Sequence, residues 1–262
     1  MIRITEHRLV LIFIAVIFSG FTVTISASST AKADSILSAG NAYYMNNDYN
    51  MAATSYKQVV DMGFVAADLY YNLGNAYYKQ DRMAEAILYY EKALLLTPGD
   101  EDIRQNLAMA NARIVDKINE IPDLFLKRWI KSLGGSLLPD QWAVASLVLF
   151  VIALVAFLVY RFSESLRTRK LGFTVGIILV LLSAACFLFM QSRDQAIRNS
   201  HKAIIMVPSV NVKSSPDAQS TNVFVLHEGT RVALTDSVKN WKEIRIGDGN
   251  KGWVLGEVLG EI

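Results

Sequence analysis

Two stretches of this 262-residue chain run about twenty residues each without a charge: residues 142–160 (WAVASLVLFVIALVAFLVY) and 171–190 (LGFTVGIILVLLSAACFLFM). At a rise of about 1.5 Å per residue, either run as a helix crosses a hydrocarbon core about 30 Å thick. A helical hairpin buried in a soluble domain is the competing reading. The stretch between them, residues 161–170 (RFSESLRTRK), carries Arg161, Arg167, Arg169 and Lys170 against Glu164 alone. That density reads as a cytoplasmic loop. Lys127, Arg128 and Lys131 precede the first run, however, and Arg193, Arg198 and Lys202 follow the second. The loop charge therefore does not fix orientation alone.

The N-terminal segment supplies the missing sign. Arg3 and Arg8 flank an apolar run from Leu9 to about Ile25, and small polar residues lead to Ala31-Lys32-Ala33. This is the pattern of a secretory signal over residues 1–33, with cleavage after Ala33. The run exceeds the usual length, so an uncleaved anchor is the alternative. Either way residue 34 emerges outside, and two spans return the chain to that side. No cysteine lies near the junction, because the one cysteine, Cys186, sits in the second apolar run. A lipid-anchored N-terminus is thereby excluded.

The word GNAYY occurs at residues 40–44 and again at 74–78, a spacing of 34. The alignment extends to Tyr43 with Tyr77, Ala52 with Ala86 and Tyr56 with Tyr90. Leu-Gly, Tyr, Ala, an aromatic and then Pro at this period form the tetratricopeptide pattern. The second unit carries it as Leu73, Gly74, Tyr77, Ala86, Tyr90, Ala93 and Pro98. Each unit is expected to be two antiparallel helices: 35–46 with 50–61, and 67–80 with 83–96. Gly74 and Ala86 allow close packing, Tyr77 and Tyr90 fill beside it, and Gly40 and Tyr43 repeat the arrangement. A last helix, 101–119, has no partner of its own and is read as a cap, so the repeat domain spans 34–120. The groove formed by first helices is expected to present Asn41, Tyr44, Tyr71, Asn75, Tyr78 and Lys79 to a partner's peptide. Amides there can pair with a ligand backbone, and Lys79 can meet a carboxylate. The competing reading takes these as ordinary residues of such repeats.

Between repeat and membrane, residues 121–141 mix Leu124, Phe125, Trp129 and Ile130 with Lys127, Arg128 and Lys131. The stretch reads either as an amphipathic helix in the membrane interface or as a connector packed on the cap. After Met190, a polar helical continuation leads to residues 203–262, where short β-rich runs alternate with turn signals. Such runs argue for a small all-β barrel. Val210-Asn211-Val212-Lys213-Ser214-Ser215-Pro216, Leu226 with Gly229-Thr230, Trp241 with Ile244, and Gly252-Trp253-Val254 follow in order. This series resembles the bacterial Src-homology-3-type domain, with Lys213 where arginine is usual. The resemblance implies a module that binds cell-wall peptides or proteins, or supports its neighbours. Trp241 and Trp253 are read as core in preference to a ligand platform.

Catalytic chemistry has no visible carrier. No G-x-S-x-G, H-E-x-x-H, phosphate loop or dinucleotide fingerprint is present. His201 and His227 read as solvated, and Glu85, Glu91 and the acids at 100–102 as helix surface and helix start. A net charge of +2 gives no case for nucleic acid. No enzyme, cofactor or metal is expected. The whole order, together with the Asp116-Lys117-Ile118 to Trp129 connector, resembles BatE proteins of the Bacteroides aerotolerance operon. That resemblance implies a bacterial inner-membrane protein with both soluble modules periplasmic. It further implies von Willebrand factor A-type partners, a MoxR-type ATPase neighbour, and a link to oxidative-stress tolerance. The expectation is a noncatalytic membrane-anchored adaptor; the alternative is an envelope sensor or peptidoglycan-binding module.

Overall fold

The structure, a computed structural model, describes residues 27–117 and 125–262. Most of the expected signal segment, and the connector's start with Leu124, lie outside the described residues. Helix α1 (Ala27–Met45) pairs with α2 (Tyr49–Asp61), α3 (Ala67–Lys79) with α4 (Met83–Leu96), and α5 (Glu101–Asn111) follows. The tight turns inside the two pairs use Asn47 and Asp81 at φ +62° and +64°. These positions are 34 apart, and both residue types tolerate the left-handed region. Asp48 caps α2 by accepting from the Met51 amide. Asp100 caps α5 by accepting from the Asp102 and Ile103 amides.

Two boundaries differ from the sequence reading. Helix α1 already covers residues 27–34 ahead of the expected start, and Ala33, at the expected cleavage junction, is buried against the repeat core. Helix α5 ends at Asn111, not at 119, because the chain turns away over residues 112–117 to meet the C-terminal module.

The repeat packs the same way twice. A Cβ on Gly40 would lie 2.8 Å from the Tyr56 ring, and one on Gly74 would lie 2.7 Å from the Tyr90 ring. Each glycine thus admits the tyrosine sixteen positions later. Tyr77 stacks on Tyr89 with ring centroids 5.6 Å apart. Burial pushes the Tyr56 phenol up to about 12 and that of Tyr90 higher still.

The C-terminal module is an antiparallel seven-stranded barrel sheet in the order β3-β2-β6-β5-β4-β1-β7. Its strands are β1 (Lys202–Ile205), β2 (Ser209–Lys213), β3 (Asn222–His227), β4 (Arg231–Val238), β5 (Trp241–Arg245), β6 (Lys251–Leu255) and β7 (Leu259–Glu261). Ala203, Ile205, Val212, Leu226, Val232, Ile244 and Val254 form its core. A Cβ on Gly252 would lie 2.4 Å from Val212 Cγ1, so glycine is what lets β6 cross β2. The sequence runs did not include β7, whose three residues have no apolar alternation of their own.

Helices α7 (Pro139–Phe162) and α8 (Leu166–Arg198) form an antiparallel hairpin. Their length suffices for a membrane, and apolar side chains such as Val148, Leu154, Leu181 and Leu188 are exposed. Among the described residues nothing covers these faces, as a candidate membrane hairpin requires and a buried core hairpin does not. Only small residues are buried: Ala153 in α7, and Gly172, Gly176 and Ser183 in α8. A Cβ on Gly172 would lie 2.9 Å from the Ala156 carbonyl. Ser146 and Ser183 each donate a hydroxyl to the other's carbonyl, at 2.9 and 2.8 Å. Close backbones and hydroxyl bonds are how helices associate where lipid removes the hydrophobic drive. The loop expected over 161–170 contracts to the turn of residues 163–165, with Arg167, Arg169 and Lys170 inside α8.

Helix α6 (Phe125–Gly134) precedes the hairpin. The Trp142 indole donates to the Gly134 carbonyl at 3.0 Å, and Trp142 packs on Phe189. The helix therefore sits at the end of the hairpin away from the 163–165 turn.

Candidate functional site

The first-helix face of the repeat is the expected groove, and the structure shows how its amides are held. Tyr56 Oη donates to Asn41 Oδ1 at 2.8 Å, and Tyr90 Oη to Asn75 Oδ1 at 2.7 Å. Glycine and asparagine of the repeated word thus address the same tyrosine: one makes room for the ring, the other receives its hydroxyl. Asn106 of α5, unforeseen from sequence, donates Nδ2 to Asn75 Oδ1 at 2.8 Å and to Tyr71 Oη at 3.0 Å. With both Oδ1 lone pairs engaged, Asn75 has only its amide hydrogens to offer a ligand. Tyr44 meets Tyr49 edge-on, and Tyr78 lies under the Arg113 guanidinium. Asn41 and Lys79 are exposed. The six expected residues therefore differ in kind. Asn75, Tyr71 and Tyr78 are tied to the cap segment, whereas Asn41 and Lys79 face solvent.

The other face of the repeat is covered. Helix α4 is buried at nine of its fourteen positions, because the barrel docks on it. Ile204 joins the repeat core, with Met206 and Ile262 packed against it. A Cβ on Gly260 would lie 2.9 Å from Leu88 Cδ2. One on Gly229, at φ +82°, would lie 2.5 Å from Ile114 Cγ2. The Gly-Thr pair of the barrel signature thus forms part of the junction.

Charged groups lock this junction. Asp116 accepts from the His227 backbone amide at 2.8 Å, pairs with His227 Nδ1 at 2.8 Å, and accepts from Thr230 Oγ1 at 2.7 Å. Burial would raise its carboxyl, but the bonds from Thr230 and His227 outweigh it and hold the group below its ordinary range. Glu91, 8% exposed, pairs with Arg231 at 2.7 Å. His227 and Glu91 are therefore junction residues, correcting the solvated-surface reading of both. Arg193 Nη2 donates to the Leu95 carbonyl at 2.9 Å, binding the end of α8 to the last turn of α4. Sequence gave little warning, since each partner lies about a hundred residues away.

Between α5 and the barrel lies a cleft of about 710 Å³ bordered by Glu91, Arg104, Asp116, Lys117 and Arg231. On the barrel's far face, register places Trp241 opposite Leu255 and Glu243 opposite Trp253. Both tryptophans are half-buried and lie outside the barrel core. This corrects the core reading: strand alternation turns Ile244 and Val254 inward and the two indoles outward. They share that face with Glu243, Arg245 and Lys251. Among the described residues, no group of three or more His, Cys, Asp or Glu is placed to hold a metal ion.

Comparison with known families matches residues 37–101 to the tetratricopeptide repeat and residues 208–260 to the bacterial SH3 domain. Both are binding modules, the first for proteins and the second with a cell-wall association. No curated protein matches the chain.

Proposed function

We propose that this chain is a noncatalytic membrane-anchored adaptor that holds a segment of another protein on the first-helix face of its repeats. One observation carries the reading. The barrel and the 112–117 segment seal the repeat's flank, while Asn41 and Lys79 of the first-helix face stay exposed. A surface left open beside a sealed one is where a partner has room. The short groove of two units suits a short extended segment, whose backbone can meet the Asn41 and Asn75 amides and whose carboxylate can meet Lys79.

The soluble body sits on the periplasmic side of a bacterial inner membrane, as the N-terminal signal pattern and the basic hairpin tip argue together. The resemblance to BatE proteins supports a place beside von Willebrand factor A-type membrane proteins in an oxidative-stress-linked complex.

Photocrosslinkers replacing Asn41 and Lys79 in the full chain test this in native membranes, with Lys239 on a barrel turn as control. The expected product is a membrane or periplasmic protein captured at 41 and 79 but not at 239. Capture at none of the three, or at 239 alone, overturns the groove reading.

A second reading has its own observation. The half-buried Trp241 and Trp253 on the face of Lys251 make an aromatic and charged platform suited to peptidoglycan. Co-sedimentation of the full chain with purified wall, lost in W241A and W253A, supports this reading. Sedimentation unchanged by either substitution counts against it.

A further inference from the structure

The turn end of the membrane hairpin is built unlike an ordinary helix junction. The first turn of α8 contains no acidic residue, yet Arg167, Arg169 and Lys170 all fall within its first five positions. Cations gain nothing there from the helix dipole, whose N-terminal end is positive. The one nearby acid, Glu164, makes no ion pair with them, and Arg161, Arg167 and Lys170 have no carboxylate partner among the described residues. Arg169 is partly used, donating Nε to the Tyr160 carbonyl at 3.4 Å, and the Arg161 guanidinium lies 5.8 Å from the Phe162 ring centroid.

These cations stand over an apolar wall. Tyr160, Leu166, Arg169, Lys170 and Phe173 line a cavity of about 330 Å³. Its floor is fixed, because Tyr160 and Phe173 pack with ring centroids 5.4 Å apart. Gly172 holds α8 against the Ala156 carbonyl just beneath. The turn itself is tied by Ser163 with Thr168, and by Thr168 Oγ1 donating to the Ser165 carbonyl at 3.0 Å. Tyr160 ends the charge-free run, so the cavity spans the boundary between hydrocarbon and headgroup depth.

We propose that this cavity is a binding site for an anionic phospholipid, with the phosphate between Lys170 and Arg169 and the glycerol and upper acyl carbons against Tyr160, Leu166 and Phe173. The proposal rests on the reading of α7 and α8 as membrane spans. Cationic pockets between spanning helices suit anionic headgroups, with each cation contributing about fivefold in binding. The apolar wall selects the lipid over free phosphate, which has nothing to place there.

The test is native mass spectrometry of the detergent-purified full chain. It is exposed in turn to phosphatidylglycerol, to phosphatidylcholine, and to phosphatidylglycerol with inorganic phosphate in excess. The expected result is selective retention of phosphatidylglycerol. It should weaken about fivefold in K170Q and about thirtyfold in R169Q/K170Q, and survive in R169K/K170R. Equal retention of both lipids, unchanged retention in R169Q/K170Q, or displacement by inorganic phosphate would overturn the site. Carbonate extraction of membranes separates the two levels. A chain that washes off overturns the membrane reading and the site with it. A chain that stays integral yet shows no lipid preference overturns the site alone.

Discussion

At the scale of single residues, the repeated glycines and asparagines form one device with the tyrosines behind them. Replacing a helix-interior glycine with alanine ordinarily stabilises by up to about 1 kcal/mol. At Gly74 the sign reverses, because the new methyl would lie 2.7 Å from the ring of Tyr90, which is 1% exposed and has nowhere to move. G74A should destabilise the repeat by about 1–3 kcal/mol, the usual cost of overpacking. Chemical unfolding of the detergent-purified chain measures it, and a neutral or stabilising result would show that the ring has slack. Asp116 gives a second residue-scale expectation, with a defined pH sign. Its carboxyl is held below the ordinary aspartate value of 3.8. Its contribution is therefore complete above that value and is lost as pH falls through the depressed one. D116A leaves the His227 amide and Thr230 hydroxyl without their acceptor, a cost of about 1–3 kcal/mol. Hydrogen exchange at residues 227–230 should be faster in D116A than in the parent chain at neutral pH. The difference should close only in acid below the ordinary carboxylate range.

At the scale of elements, α4 shows what the sequence could and could not say. Ala86, Tyr90 and Ala93 were legible because they answer to a 34-residue period. Ile87 and Leu88 were not, since they serve the barrel, and no local pattern announces a surface more than a hundred residues away. The same limit hid Glu91 with Arg231 and Asp116 with His227, where charge on a helix or turn looks solvated until a partner arrives. Trp241 and Trp253 failed for another reason: motif position says that a tryptophan belongs there, but only strand register says which face it takes. Helix α6 left two readings open, and the interfacial one has a direct test. Phe125 is 82% exposed and Trp129 56% exposed, with Ile130 and Leu133 exposed on the same side. The helix end is tied to the start of α7 through Trp142. In nanodiscs containing brominated phospholipid, Trp129 fluorescence should be quenched, and W129F should remove that quenched component. Quenching identical in W129F and the parent chain would place α6 in water.

At the scale of the whole molecule, the family matches describe two modules, whereas the packing describes one body. Ile204 lies in the repeat core, Gly229 and Gly260 have room only for the contacts they make with Ile114 and Leu88, and Arg193 joins the hairpin to α4. A fragment of 203–262 cut from the chain would present Ile204, Met206 and Ile262 to water. Binding measured on such a fragment would therefore report a different surface from the native one. The repeats alone would lose the cover over Ile87 and Leu88. Such shared burial couples the two unfolding reactions, because each module loses the cover of its junction residues when the other opens. The full chain should accordingly show one cooperative thermal transition for its soluble part. Followed by hydrogen exchange, amides of α4 and of β1 should lose protection together. D116A and substitution of Ile204 by alanine should each lower both sets in step. Two separated transitions, with β1 opening while α4 stays protected, would show that the barrel is tethered and not built in. The repeat face would then have to recognise its partner without a fixed orientation to the membrane.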